Sequence, residues 1–272
     1  MRSLKSLMLA GTAAVAITTA ASAADLPPIV YKAPPMPVEE FSGWYLRGDI
    51  GMTNQRVKNI DNVLFPDTPN LVVHDLNFEG GWLFGIGLGY QWNNWLRFDV
   101  TGEYRGETGF HGFDTWNDGT ARFNDYTAKK SEWLFLANAY VDLGTWWCLT
   151  PFVGAGVGVS RNTISSFKDR GIDPFGAPTM ATGSEASKWN FAWAIHAGVA
   201  YKVNPNFNVE LAYRYVHLGD AQSGDLIAYD GTNMFNNPMI FKNIDSHDVK
   251  LGVRWNLVPE APMMPPPLVR KG

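Results

Sequence analysis

The chain has 272 residues, a formal net charge of −4 and one cysteine, Cys148. A mildly acidic chain lacks the basic stripe of a nucleic-acid-binding protein, and a single cysteine excludes an internal disulfide. Hydrophobic residues make up 46% of the chain, but after Ala23 no apolar run reaches the roughly 18 residues of a transmembrane helix, so the apolar residues are dispersed.

The N-terminus has the pattern of a secretory signal peptide over residues 1–23. Arg2 and Lys5 give a positive start, Leu7 to Ala20 is a short stretch of apolar and small residues, and a small-x-small site ends at Ala23. We predict cleavage between Ala23 and Ala24, which removes two cations and moves the net charge from −4 to −6. The alternative is an uncleaved anchor, but the apolar stretch is about half the length of a spanning helix.

Two Pro-rich segments flank the rest of the chain. Residues 24–42 contain five prolines, and residues 258–272 contain another cluster of prolines. Segments of this composition are extended linkers. Between them, residues 43–257 form one predicted domain, of a size that all-β barrels reach as a single unit.

Within this domain, eight stretches alternate between two kinds of side chain with a period of two residues, which predicts β-strands. In the third stretch, for example, Phe98 and Val100 alternate with Arg97 and Asp99. Four stretches set apolar residues against charged ones, and four set them against small or mixed ones. The predicted strands lie within residues 44–52, 82–90, 95–105, 133–142, 152–159, 191–201, 207–215 and 248–257.

The connections between these strands predict the topology. Short turns near residues 91–94, 144–149 and 202–206 alternate with long connections at residues 54–79, 106–130, 162–188 and 219–246. We therefore predict an all-β fold, an eight-stranded antiparallel up-and-down transmembrane β-barrel with four long extracellular loops, short periplasmic turns and both termini in the periplasm. A soluble lipocalin-like barrel is the alternative, but it would have an apolar lumen and a polar exterior.

Aromatic residues on the apolar face cluster at the two ends of the predicted strands. Amphipathic rings prefer the two interfaces of a bilayer, so this sorting predicts two aromatic girdles. The predicted girdle residues are Trp44, Trp82, Tyr90, Tyr104, Trp133, Trp189, Tyr201, Phe207, Tyr215 and Trp255.

The opposite face would line the lumen, where charges of nearly balanced sign could pair across strands. Side chains largely fill an eight-stranded barrel, so we interpret this set as a structural plug, with a narrow ion path as the alternative. The predicted lumen charge network consists of Arg47, Asp49, Arg97, Asp99, Glu103, Arg105, Asp142, Glu210, Arg214, Lys250 and Arg254.

The last strand resembles the assembly signal of outer-membrane barrels, with Lys250, Gly252, Trp255 and Leu257 at its characteristic positions. Together with the opening strand, whose sequence over residues 41–51 is FSGWYLRGDIG, it resembles the small outer-membrane β-barrel family of alphaproteobacteria, the porin-like, immunogenic surface antigens. The resemblance implies an outer-membrane location and surface-exposed loops. Members of this family are variously regarded as structural proteins, porins, adhesins or haem binders.

A search for catalytic chemistry gives no convincing constellation. Ser246 and His247 are adjacent, but neighbouring strand residues face opposite sides and cannot share a site without a bulge. His196 would point into the lumen alone, and His74 and His111 lie in different loops without metal-ligand spacing. We therefore predict no catalytic residue, no cofactor and no metal site.

The main hypothesis is a non-enzymatic outer-membrane protein that supports the envelope and displays loops for adhesion or ligand contact. The alternatives are a small porin, a lipid-modifying barrel enzyme and a haem-binding surface protein. The expected partners are outer-membrane lipid and lipopolysaccharide, the assembly machinery and periplasmic chaperones during biogenesis, and a host or surface ligand at the loops.

Overall fold

The computed structural model describes residues 42–173 and 175–257. The predicted signal peptide with its cleavage residues Ala23 and Ala24, nearly all of the first Pro-rich segment and the Pro-rich tail lie outside the described residues. Within them, no helix is long and apolar enough to cross a membrane. The described strands are β1 (Gly43–Asp61), β2 (Val72–Phe78), β3 (Gly81–Gln91), β4 (Leu96–Asn117), β5 (Ala121–Asp142), β6 (Leu149–Ile172), β7 (Pro178–Gly183), β8 (Ala186–Asn204), β9 (Phe207–Gln222), β10 (Leu226–Ala228) and β11 (Ile240–Asn256), with a 3-10 turn at Phe65–Asp67.

Eight of these strands close into a ring. The order around it is β6, β5, β4, β3, β1, β11, β9 and β8, and β8 pairs with β6 again. Every pairing is antiparallel, and β1 joins the last strand in a register that places Ile50 opposite Leu251. The predicted eight-stranded antiparallel up-and-down barrel is confirmed.

Side chains of the ring alternate between the lumen and the outer face, as a two-residue period requires. On β11, Leu251 exposes 49% of its surface while Lys250 exposes 3%. On β4, Phe98 and Val100 are exposed while Arg97 and Asp99 are buried. In this half of the barrel the outer face is apolar and the lumen is ionic, the reverse of a soluble barrel.

The long connections are more regular than predicted. Residues 106–117 and 121–130 continue β4 and β5 as a hairpin, and β1, β6, β9 and β11 also extend well past the predicted strand ends. Three strands that were not predicted also lie in this part of the barrel: β2 pairs with β4, β7 with β6, and β10 with β7. Much of the four segments predicted as long loops is therefore strand and not irregular loop. We call the part of the barrel beyond the predicted strands, on the side of the long connections, the extension.

Bulges explain why alternation does not predict the extension. The β4–β5 register shifts between Arg105 and Thr108, and Ser166 and Asn243 adopt positive φ values of 52° and 54°. Each inserted residue changes which positions face inward, so the two-residue pattern loses its phase.

Beyond these bulges the polarity of the two faces is inverted. Phe110, Phe167 and Phe241 are buried inside, while Lys168 and Arg170 are exposed outside. Phe241 has ring centroids 4.8 Å from Phe110 and 6.2 Å from Phe167. Losing such a buried ring typically costs about 3–5 kcal/mol. The barrel therefore has an ionic interior near the end formed by the short turns and an apolar core near the end formed by the long connections.

Candidate functional site

Glycines on β3 provide the space that large lumen side chains occupy. A Cβ on Gly85 would lie 2.7 Å from Cγ of Glu103, and a Cβ on Gly87 would lie 2.9 Å from Cγ of Arg47. The Gly-x-Gly-x-Gly run of this strand is thus explained by close packing inside the barrel.

Glu210 on β9 organises the lumen charges nearest the short turns. Its Oε1 atom lies 3.2 Å from Arg97 Nη1 and 3.0 Å from Arg254 Nε, and its Oε2 atom lies 3.7 Å from Arg47 Nη2. Arg47 also donates to Asp99 Oδ2 at 2.8 Å. Because a buried charge is costly without a partner, these side chains stabilise one another only as a set.

Glu103 on β4 organises the next layer. It accepts hydrogen bonds from both Arg214 Nη atoms, at 2.7 and 2.6 Å, and from Lys250 Nζ at 2.6 Å. Arg214 also donates to Asp248 at 2.7 Å, and Arg105 donates to the same carboxylate at 2.7 Å. The two layers are joined where Lys250 Nζ lies 3.4 Å from Asp49.

The structure brings all eleven predicted lumen charges together, and it adds three that the sequence prediction missed. Asp248 is on the predicted polar face but outside the predicted set, whereas Lys130 and Glu132 lie before the predicted start of their strand. Lys130 donates to Glu132, which also pairs with Arg105. Seven cations and seven anions result, each with 8% or less of its surface exposed: Arg47, Arg97, Arg105, Lys130, Arg214, Lys250 and Arg254 with Asp49, Asp99, Glu103, Glu132, Asp142, Glu210 and Asp248.

Aromatic residues pack around this ionic interior. The guanidinium carbon of Arg97 lies 4.4 Å from the ring centroid of Tyr140 and 4.6 Å from that of Phe152. Tyr45 donates to Asp99 at 3.2 Å and carries Arg254 over its ring. Cation–π contacts of this kind gain strength when water is excluded.

The predicted girdle residues lie on the outer face of the barrel. Trp44 packs against Tyr90 near the short turns, with ring centroids 5.3 Å apart. Nearer the end formed by the long connections, Tyr104 lies between Trp82 and Trp133, with ring centroids 5.8 and 5.0 Å apart. The other predicted girdle residues are partly or largely exposed: Trp189, Tyr201, Phe207, Tyr215 and Trp255.

The predicted assembly-signal residues occupy the end of β11 and the residue after it. Trp255 and Leu257 point to the outer face with 58% and 43% of their surface exposed, while Lys250 faces the lumen. Gly252 also has a packing reason, because a Cβ there would overlap Oδ1 of Asp49. An assembly role for these four residues stays a prediction.

Ser246 and His247 lie on opposite faces of β11. Ser246 is buried in the lumen and donates to Asp248 at 2.6 Å. His247 is on the outer face, where its Nδ1 atom lies 2.6 Å from the Tyr213 hydroxyl. The two side chains therefore form no nucleophile–base pair.

The remaining histidines each contact a different residue, and His217 pairs with Asp245 at 2.6 Å. His196 is buried, with Nε2 3.2 Å from Oδ1 of Asn138. His74 contacts Thr115 on the extension, and His111 pairs with Asp125. Within residues 42–173 and 175–257, no group of three or more His, Cys, Asp or Glu side chains is arranged to hold a metal ion.

Residues 10–256 match the family described as outer membrane protein beta-barrel domain. An uncharacterized protein of Brucella abortus is 31% identical over 245 residues, which cover 78% of this chain and 80% of that protein. The 31 kDa outer-membrane immunogenic protein of Brucella melitensis is 26% identical over 259 residues, which cover 93% and 99%. A candidate adhesin of Rickettsia prowazekii is 24% identical over 218 residues, which cover 79% and 87%.

Proposed function

The chain belongs to the outer membrane protein beta-barrel domain family, and from that premise we propose a non-enzymatic, non-conducting barrel that displays its extension for contact with external ligands or surfaces. The barrel spans the outer membrane. Barrels of this membrane have short turns on the periplasmic side and long connections outside. The extension of β1, β2, β4–β7 and β9–β11 is therefore extracellular.

The balanced lumen charge network is the observation that carries the proposal. A porin needs a water-filled path, and water would raise the exposure of the ions that line it. Here the seven cations and seven anions are all buried against each other, and the apolar core continues above them. An eight-stranded barrel has an interior that side chains can fill. The interior thus supports stability and not transport.

The extracellular end supports a contact role. Its connections carry large apolar side chains in water, with exposed fractions of 93% for Phe175, 76% for Tyr229, 86% for Met234 and 60% for Phe235. Exposed aromatic and Met side chains are enriched in protein contact surfaces. The candidate adhesin and the immunogenic protein among the relatives agree with a surface role.

Single-channel recording in planar bilayers tests the closed lumen. We expect the refolded mature chain to give no discrete conductance, and the double variant Glu103→Ala/Arg214→Ala to give small, stable openings. Stable openings of the unaltered protein would refute the closed lumen and favour a small porin.

Display on a Gram-negative host without adhesins tests the contact role. We expect cells with the protein to bind epithelial monolayers, and a variant with Phe175, Tyr229, Met234 and Phe235 changed to Ser to lose most of that binding. The control is Trp147→Ser, which removes an aromatic side chain that is 94% exposed at the opposite end of the barrel. Equal binding by all three proteins would refute the role of these four side chains, and no binding by any of them would count against adhesion.

We also propose that lipopolysaccharide surrounds the outer girdle and that the assembly machinery reads the end of β11. The exposed Trp255 and Leu257 support this, because both are accessible from the outer face. Replacing both with Ser should leave the protein in the periplasm bound to chaperones. Fractionation of cells would show normal outer-membrane levels if the proposal is wrong.

A further inference from the structure

A separate cavity of about 230 Å³ lies in the extracellular extension. Its lining comes from the β1–β2 connection, the ends of β4 and β5, β6, β10 and the connection before β11. It is larger than the roughly 150 Å³ cavity that is known to hold benzene in another protein. The extension therefore has room for a small organic molecule, separate from the lumen charge network.

One carboxylate in this cavity has no partner. Asp169 lies directly opposite Tyr126 in the β5–β6 register, so both side chains are on the inner face. Tyr126 and Asn124 donate to Asp114, at 2.5 and 3.0 Å. The Asp169 side chain, by contrast, makes no hydrogen bond or ion pair with another described residue, although its backbone is part of the strand ladders.

Burial and the neighbouring carboxylates disfavour the charge on Asp169. Desolvation is the largest cause, followed by repulsion from the negative charges of Asp114 and Asp125. Asp125 is on the other face of the sheet, where it pairs with His111. Together they raise the pKa of the Asp169 carboxyl from 3.8 to about 7. A cation placed beside this carboxylate would remove the penalty.

The other polar groups of the cavity point to the same kind of ligand. The amide of Asn62 donates to the Asn237 carbonyl oxygen at 2.8 Å, and the Thr68 hydroxyl donates to the Leu64 carbonyl oxygen at 2.8 Å. The Tyr126 hydroxyl and one N–H of the Asn124 amide are also engaged, both with Asp114, so few side-chain donors of these four lining residues are free for a ligand. A neutral sugar or an anion would need such donors, whereas an ammonium ion supplies its own.

Aromatic rings complete the cavity. Trp116, Tyr126 and Phe65 line it, and Trp116 already holds a cation, with the Arg122 guanidinium carbon 4.3 Å from its ring centroid. Rings favour organic cations by cation–π attraction and by apolar contact. A bare metal ion would instead require several oxygen ligands, which one free carboxylate does not provide.

We propose that this cavity binds a small organic ammonium ion, with Asp169 as the counter-ion and Trp116 and Tyr126 against the apolar part of the ligand. This inference goes beyond the proposed contact role, because it concerns a cavity of about 230 Å³, which is too small for a large partner to enter. It also holds whether or not the lumen conducts.

Three probes of nearly equal shape and different charge test the proposal on the full mature chain in detergent micelles. Calorimetry at pH 8 would compare 2-phenylethylammonium, 2-phenylethanol and phenylacetate. We expect saturable binding of the cation, binding of the alcohol weaker by roughly 10- to 100-fold, and no binding of the anion. Equal affinity for all three, or no saturable binding of the cation, would overturn the proposal.

Variants locate the site. Asp169→Asn should lower the affinity for the cation roughly 10- to 100-fold and leave the alcohol unchanged. Asp75→Asn, which removes the same charge from the exposed face of β2, should change neither. Undiminished cation binding by Asp169→Asn would refute the assignment. Folding of each variant is checked by heat-modifiable gel migration, and the comparison of probes on the unaltered chain does not depend on any variant.

Discussion

Arg214 and Glu103 form a bidentate ion pair across the full width of the lumen, with Nη1–Oε1 and Nη2–Oε2 distances of 2.7 and 2.6 Å. Their strands, β9 and β4, are four places apart in a ring of eight and thus lie opposite each other. Two parallel hydrogen bonds give such a pair both energy and a fixed orientation. The pair therefore ties together two walls that share no backbone hydrogen bond.

Removing one partner of this pair should be costly. Glu103→Gln leaves Arg214 and Lys250 short of a counter-charge in a water-poor interior, so we expect a loss of about 3–5 kcal/mol in the free energy of unfolding. The matched control is Glu107→Gln, four residues further along the chain, because Glu107 pairs with Lys129 while both are about half exposed. We expect that change to cost less than about 1 kcal/mol. Urea titration in lipid vesicles measures both, and equal losses would contradict a dominant buried pair.

The effect of a Gly→Ala substitution on stability should depend on which atoms the new Cβ would contact. In Gly89→Ala the new Cβ would overlap the Tyr45 ring, so we expect a loss of about 1–3 kcal/mol. In Gly48→Ala the atom nearest to the new Cβ is 3.9 Å away. Because alanine restricts the unfolded chain more than glycine does, the variant should be equally stable or up to about 1 kcal/mol more stable. Tyr45→Leu in the Gly89→Ala background should recover part of the loss. Additive losses in the double variant would show that Tyr45 is not the cause.

The ring of strands could be predicted from sequence because alternation and connection length depend on local pattern. The same pattern gives the face of Glu103 and of Arg214, but it does not give their contact. Which residues meet across a lumen depends on the relative heights of strands far apart in the chain. The signs of the charges predict that pairs form, and only the closed ring shows which ones.

The extension and its cavity could not be predicted, for two physical reasons. Bulges at Ser166 and Asn243 change the phase of alternation, and water outside the extension reverses which face is apolar. Lys130 and Glu132 were missed because the predicted strand began at Trp133. The cavity around Asp169 gathers single residues from separate segments, and no local signal marks such a set.

The reversal of polarity between the inner and outer faces predicts where the membrane ends. Substitution by Arg at two positions, one on each side of this boundary, tests the prediction. Leu251 and Ile227 have similar exposed fractions, 49% and 45%, but Leu251 is within the apolar band and Ile227 is on β10 of the extension. Leu251→Arg should cost about 2–4 kcal/mol near the bilayer centre. Ile227→Arg should stay within about 0.5 kcal/mol, as for an ordinary surface site. Folding yield and urea midpoint in vesicles check this, and a costly Ile227→Arg would place the boundary higher.

The pKa of Asp169 gives the extension a pH-dependent stability. Because this pKa is about 7 in the folded chain and near 3.8 otherwise, the folded state holds the proton more tightly between these values. Its stability should therefore fall as the pH rises from about 4 to 7, and the loss should be complete above pH 7.

Asp169→Asn removes the charge, so it should be more stable than the unaltered chain at pH 8 and nearly equal to it at pH 4. The midpoint should differ by about 2–4 °C for each kcal/mol. Thermal melts of both proteins at pH 4 and 8 test the sign, and saturating 2-phenylethylammonium should close the gap at pH 8 if the cation neutralises this carboxylate. A variant that is less stable than the unaltered chain at pH 8 would mean that the Asp169 charge is stabilised in the folded state, against the geometry of its surroundings.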